Sequence, residues 1–120
     1  MKKFEEIAKQ KAVLLNEWER KEKLDVLSDF EEKDTDVNIL FASYDGDLCG
    51  GSAWVLFEEG GKLFEVNGSH CSCHGLEDQW EPEEVTLNVL EHRLMNGTFG
   101  EPDFKEELCD FLGVEFKLNH

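Results

Sequence analysis

The chain has 120 residues, 40% of them hydrophobic, with nine Phe, three Trp and a formal net charge of −16. The apolar content excludes a disordered chain despite the charge, and the length predicts one domain, residues 1–120, with a single modest core. So acidic a protein is a poor ligand for nucleic acid or anionic membrane and a good one for basic proteins or cations.

The charge is unevenly spread. Residues 1–24 hold seven Lys/Arg against five Asp/Glu, a net of +2, whereas residues 25–120 hold five against 23, a net of −18. "MKKF" runs into "EEIAKQK" without the apolar core of a signal peptide, and no run reaches membrane-spanning length. The four Cys are then expected as reduced thiols or ligands, and the expected location is the cytoplasm.

"KKFEEIAKQKAVLLNEWERKEKL" places Phe4, Ile7, Leu14 or Leu15, and Trp18 at helical spacing and predicts one amphipathic helix. The acid-rich "DVLSDFEEKDTD" reads as a loop or a frayed turn, and "VNILFASY" as a strand. "DGDLCGG" has the DxD-Gly start of a calcium loop without the remaining ligands, so it reads as a turn. In "SAWVLFEEGGKLFEVNG" two apolar runs flank Gly60-Gly61, the signal of a hairpin, with Ala53, Val55 and Phe57 on one side and Trp54 and Leu56 on the other. "EPEEVTLNVLEHRLMNG" predicts a helix from Pro82 to Asn96, with Glu83 and Glu84 on the positive end of its dipole. "EPDFKEELCDFLG" predicts another, begun at Pro102 and stopped by Gly113, and "VEFKLNH" adds a short tail strand. The predicted architecture is α+β: a small antiparallel sheet of about three strands around a central hairpin, with an N-terminal helix and two C-terminal helices packed on it.

"HCSCH", residues 70–74, offers four candidate zinc ligands, but in an extended chain Cys71 and Cys73 point away from His70 and His74. Cys49 or Cys109 could complete such a site. A catalytic thiol would need a low pKa, which Glu77, Asp78, Glu81, Glu83 and Glu84 oppose. The simplest reading is architectural: Gly68 and Gly75 allow special backbone angles, buried Cys acts as a small apolar residue, and Trp80 packs where the loop meets the next helix.

Residues 55–84, "VLFEEGGKLFEVNGSHCSCHGLEDQWEPEE", resemble a segment of small bacteriophage and prophage proteins that reads roughly VLF–GKLYEVNGSHCSCYGLE–QWEPEE. Asn67, Gly68, His70, Cys71, Cys73, Gly75, Leu76, Trp80 and Pro82 fall in register. The relatives often carry an aromatic residue in place of His74, which narrows the metal candidates to His70, Cys71 and Cys73. The resemblance implies a phage or mobile-element setting in bacterial cytoplasm, and no particular chemistry.

Carboxylates at i and i+4 on a helix lie about 6 Å apart, close to the spacing of successive phosphates, so an acidic surface can occupy a basic groove that evolved for nucleic acid. The candidate rows are Asp29, Glu31, Glu32, Asp34 and Asp36, and Glu83, Glu84 and Glu91. The expected function is a non-enzymatic inhibitor of a host nucleic-acid-binding defence system, of anti-CRISPR or anti-restriction type, with a basic host protein as partner and no cofactor. The alternative is a small zinc-binding structural or regulatory module centred on His70, Cys71 and Cys73.

Overall fold

A computed structural model describes residues 2–32, 37–46, 50–71, 75–77, 79–95 and 105–114. The chain order is α1 (Phe4–Lys9), β1 (Val13–Asn16), α2 (Lys23–Asp29), β2 (Asn38–Gly46), β3 (Gly50–Glu59), β4 (Lys62–Cys71), β5 (Glu83–Val85), α3 (Leu87–Met95) and α4 (Lys105–Leu112). The strands form one sheet in sequence order, with β1 parallel to β2 and every other pair antiparallel.

The fold is α+β, but the expected three-stranded antiparallel sheet with one N-terminal helix is wrong. Five strands form a mixed sheet, and four helices occupy the described residues. The stretch expected as one long N-terminal helix, residues 2–24, instead holds α1, β1 and only the first two residues of α2. Continued from Ile7, its buried stripe would reach the charged Lys11, and the chain instead extends so that Val13 to Asn16 pair with Phe41 to Tyr44. Asn16 then turns the chain at φ 59°. The acid-rich stretch expected as a loop or a frayed helical turn supplies Asp25 to Asp29 of α2, whose first turn is closed by the Glu22 N–H donating to Asp25 Oδ2 at 2.9 Å.

The second correction concerns Pro82. It precedes a strand, because Val85 pairs with Leu63 and is buried there, and helix begins only at α3. Thr86 caps α3 by accepting the Val89 N–H on Oγ1 at 3.2 Å. Of the expected tail strand, residues 114–120, only the buried Val114 lies within the described residues.

The hairpin forms as its sequence dictates. Gly60 and Gly61 take φ +61° and +82°, and Glu59 pairs with Lys62 across the turn. Alternation along β3 divides the core in two. Trp54 and Leu56 join Ile7, Leu40, Phe41, Leu63, Val85, Leu90, Leu94, Leu108, Phe111 and Leu112 on the face covered by α1, α3 and α4. Ala53, Val55 and Phe57 join Trp18, Val26, Phe30, Ile39, Ala42, Val66 and Leu76 on the other. A bulge between Ile39 and Phe41 lets the consecutive Leu40 and Phe41 both enter the first core.

Candidate functional site

At the end of the sheet away from the hairpin, small residues of β3 leave room above the second face. Ala53 pairs with Tyr44 on one side and Gly68 on the other, and Gly51 pairs with His70. Tyr44 and His70 meet over this strip, ring centroids 5.3 Å apart and edge to face. Trp18 lies against Tyr44 at 5.2 Å, and its indole Nε1 donates to Asp29 Oδ2 at 2.6 Å. A side chain at Gly68 would press on Phe30 and Leu76, since a Cβ there would lie 3.1 Å from each.

Tyr44 reports the electrostatics of this end. Burial pushes its phenol above the ordinary value, and the charges of Asp29, Glu17 and Glu77 push it further the same way. Glu17 follows β1, Asp29 ends α2, and Glu77 lies in the segment after β4. Three separate stretches thus direct negative charge at one half-buried aromatic ring.

The described part of the segment after β4 is tied back to the sheet. Gln79 spans it with a side-chain amide that accepts the Ser69 N–H at 2.7 Å and donates to the carbonyls of Ser69 at 2.6 Å and Gly75 at 2.8 Å. Leu76 is buried, and the Gly75 N–H donates to the Glu77 carboxylate at 3.1 Å. Trp80 does not sit at the entry to α3 as expected. It stacks on Phe57 at 5.5 Å and meets the edge of Phe30 at 5.1 Å, on the opposite face of the sheet.

Of the proposed zinc ligands, His70 lies on β4 against Tyr44, and Cys71 ends that strand, paired with Gly50. Cys73, like Cys49, lies outside the described residues. Cys109 cannot complete a site with His70, because it is buried in the first core on α4, across the sheet. Among the described residues no group of three or more His, Cys, Asp or Glu side chains is placed to hold a metal.

The proposed acidic rows are rearranged. Asp29 is not free loop: it lies on α2 and binds the buried Trp18 indole. Glu31 is exposed with φ 58°, and Glu32 is half-buried. Asp34 and Asp36 lie outside the described residues. Glu83 and Glu84 are strand neighbours that point to opposite faces, so they make no helical row with Glu91 on α3. Glu84 also has Lys62 at 3.7 Å.

The sequence reading missed Glu17, Tyr44 and Glu77 as a group, and missed Glu65, the one buried acid among the described residues. The latter is 7% exposed and faces the first core. It accepts from Trp54 Nε1 at 3.0 Å, from Asn67 Nδ2 at 3.3 Å and from Arg93 of α3 at 2.7 Å. Burial alone would raise its carboxyl; the hydrogen bonds from Arg93 and Trp54, the Arg93 charge and the Asn67 amide outweigh it and hold the group below the usual range. A signal existed, because the Gly60-Gly61 turn fixes the register that puts Glu65 opposite Leu56, on a face that must be apolar or paired.

No protein-family model matches the chain, and neither a curated protein nor a solved structure does.

Proposed function

We propose that the protein is a non-enzymatic inhibitor that binds a basic, nucleic-acid-binding host protein of a bacterial defence system through its carboxylate surface. The observation that carries this reading is the convergence of Glu17, Asp29 and Glu77 on Tyr44, in a chain of net charge −16. Carboxylates held on α2 and on turns bonded to the backbone around the sheet offer a basic groove the charge of a nucleic acid without the cost of ordering a flexible chain. The half-buried Tyr44 adds an aromatic surface of the kind that arginine packs against. The phage-like wording of residues 55–84 supports a setting in bacterial cytoplasm, where restriction and CRISPR systems offer such grooves.

The test is competition. Protein immobilised through a tag captures its partner from host lysate, and the captured protein is then assayed for DNA or RNA binding with and without the inhibitor. Affinity is expected to fall steeply with salt, with a log–log slope near one per ion pair formed. Changing Glu17, Glu31, Glu32 and Glu77 to Gln should weaken capture and leave the fold intact, while neutralising Lys3, Lys9 and Lys11 should not. Asp29 is left unchanged in this set because its carboxylate holds Trp18. Binding that ignores salt and survives the Gln variants would refute the reading.

A further inference from the structure

At the hairpin end of the sheet, a groove of about 480 Å³ opens between α1, the Gly60-Gly61 turn, β5 and the start of α3. Its apolar lining comes from Phe4, Leu63, Val85 and Leu87. Leu63 and Val85 are buried floor, while Phe4 and Leu87 are half-buried walls that only partly join the first core. Of the polar rim, Thr86 is occupied in capping α3, Lys62 and Glu84 face each other at the surface, and Asn88 is exposed. An apolar floor with room for more than one aliphatic side chain, its polar lining residues Lys62, Glu84, Thr86 and Asn88 all exposed, suits an apolar anchor rather than a polar small molecule.

Charge around the groove selects what carries that anchor. Glu84 lines it, Glu83 precedes Glu84, and Glu59 pairs with the lining Lys62 across the turn. The Glu58 carboxylate accepts the N–H of the lining Gly61 at 3.0 Å. Glu5 follows Phe4 in the chain, and Lys3 precedes it. Glu84 and Glu58 thus stand at the groove itself, and Glu5, Glu59 and Glu83 each adjoin or pair with a lining residue, while among the described residues Lys62 and Lys3 are the cations so placed.

We infer that this groove is a docking site for an exposed Leu, Met or Phe flanked by Lys or Arg on a partner protein. Central apolar anchors with a complementary charged rim are where interfaces concentrate their binding energy. The same acidic rim opposes a second copy of this chain as occupant. The site is separate from the carboxylates around Tyr44. Lys62 begins β4 and His70 lies near its other end, and a ten-residue strand spans about 30 Å. The inference therefore holds or fails independently of the nucleic-acid-mimic reading.

The test is a titration of the ¹⁵N-labelled full chain with a short synthetic peptide carrying one leucine between two pairs of arginines, followed by amide chemical shifts. The expected result is shifts confined to Leu63, Val85, Leu87 and their neighbours. A peptide with Ala for Leu should bind about tenfold more weakly or worse, and one with Glu for Arg should not bind. Leu87→Glu should abolish the shifts while leaving the rest of the spectrum in place, and Glu17→Gln/Glu77→Gln at the far end should change nothing. Equal binding of the Ala peptide, shifts centred on Tyr44, absence of binding at millimolar peptide, or concentration-dependent self-association through Leu87 would each overturn it.

Discussion

Replacing Arg93 by Met removes the cation from Glu65 while keeping an unbranched apolar stem on α3. The carboxylate is 7% exposed and would be left with the Trp54 indole and the longer contact from Asn67. Breaking a fully buried pair costs about 3–5 kcal/mol, because one charge stays buried without its partner. Arg93 is 26% exposed at its side chain, so water can partly replace it, and the expected loss at pH 7 is about 2–3 kcal/mol. The pH dependence supplies a sharper signature. In the native protein Glu65 is held below its ordinary value, so its contribution is present above the unfolded carboxyl range and is lost as pH falls through the folded value. In the variant burial acts unopposed by the guanidinium and raises the group. Its neutral form is then the favoured one in the fold, and stability is lost as pH rises through that raised value. The gap between the two proteins should narrow from pH 7 to pH 5. Urea unfolding followed by tryptophan fluorescence at both pH values measures it, the other carboxylates being common to both chains. Adding Glu65→Gln to the variant should recover part of the loss, since the neutral amide oxygen still accepts from Trp54 and no charge is stranded. A loss under about 0.5 kcal/mol, or a gap indifferent to pH and to the second substitution, would refute the reasoning.

Three other outcomes are expected. Glu31→Gly should stabilise the protein by about 1 kcal/mol by urea unfolding, because Glu31 holds a left-handed φ of 58° just past α2, where its N–H donates to Ser28 and that of Glu32 to Leu27 as in a glycine-ended helix. Gly68→Ala should destabilise by about 1–3 kcal/mol, since its Cβ would meet Phe30 and Leu76 at 3.1 Å; near-ultraviolet circular dichroism would also show the displaced aromatic rings. Tyr44 is the single tyrosine, so an absorbance titration reads it alone. Its phenol should ionise above pH 10 and return toward that value in Glu17→Gln/Glu77→Gln.

The hairpin and the end of α4 were legible because local chemistry fixes them. Gly60 and Gly61 supply a turn few other residues can make, and Gly113 takes φ +77° where the helix stops. The two-sided burial of β3 followed from alternation alone. What was illegible depended on partners distant in sequence. Val13 to Asn16 become a strand only because β2 offers an edge for parallel pairing, and no local signal in "AVLLN" announces it. Glu83 and Glu84 suit a helix start by every local rule, yet the pairing of Val85 with Leu63 extends them. The gathering of Glu17, Asp29 and Glu77 likewise exists only after three separate segments have been folded over one end of the sheet.

The Gln79 clamp bears on whether copies of this chain can pair edge to edge. β5 covers only Leu63 to Glu65 of β4, so the rest of that strand would present a bare edge to any extended chain. At Ser69 both the N–H and the carbonyl are already taken by one side-chain amide, which stands in for the peptide group of an incoming strand. Repulsion between chains of net charge −16 keeps copies apart in dilute buffer, but it fades as salt shortens its range to a few ångströms. The amide is indifferent to salt. It guards against edge-to-edge aggregation in the conditions where charge no longer does, so Gln79→Ala should matter most for solubility in concentrated salt and least in its absence.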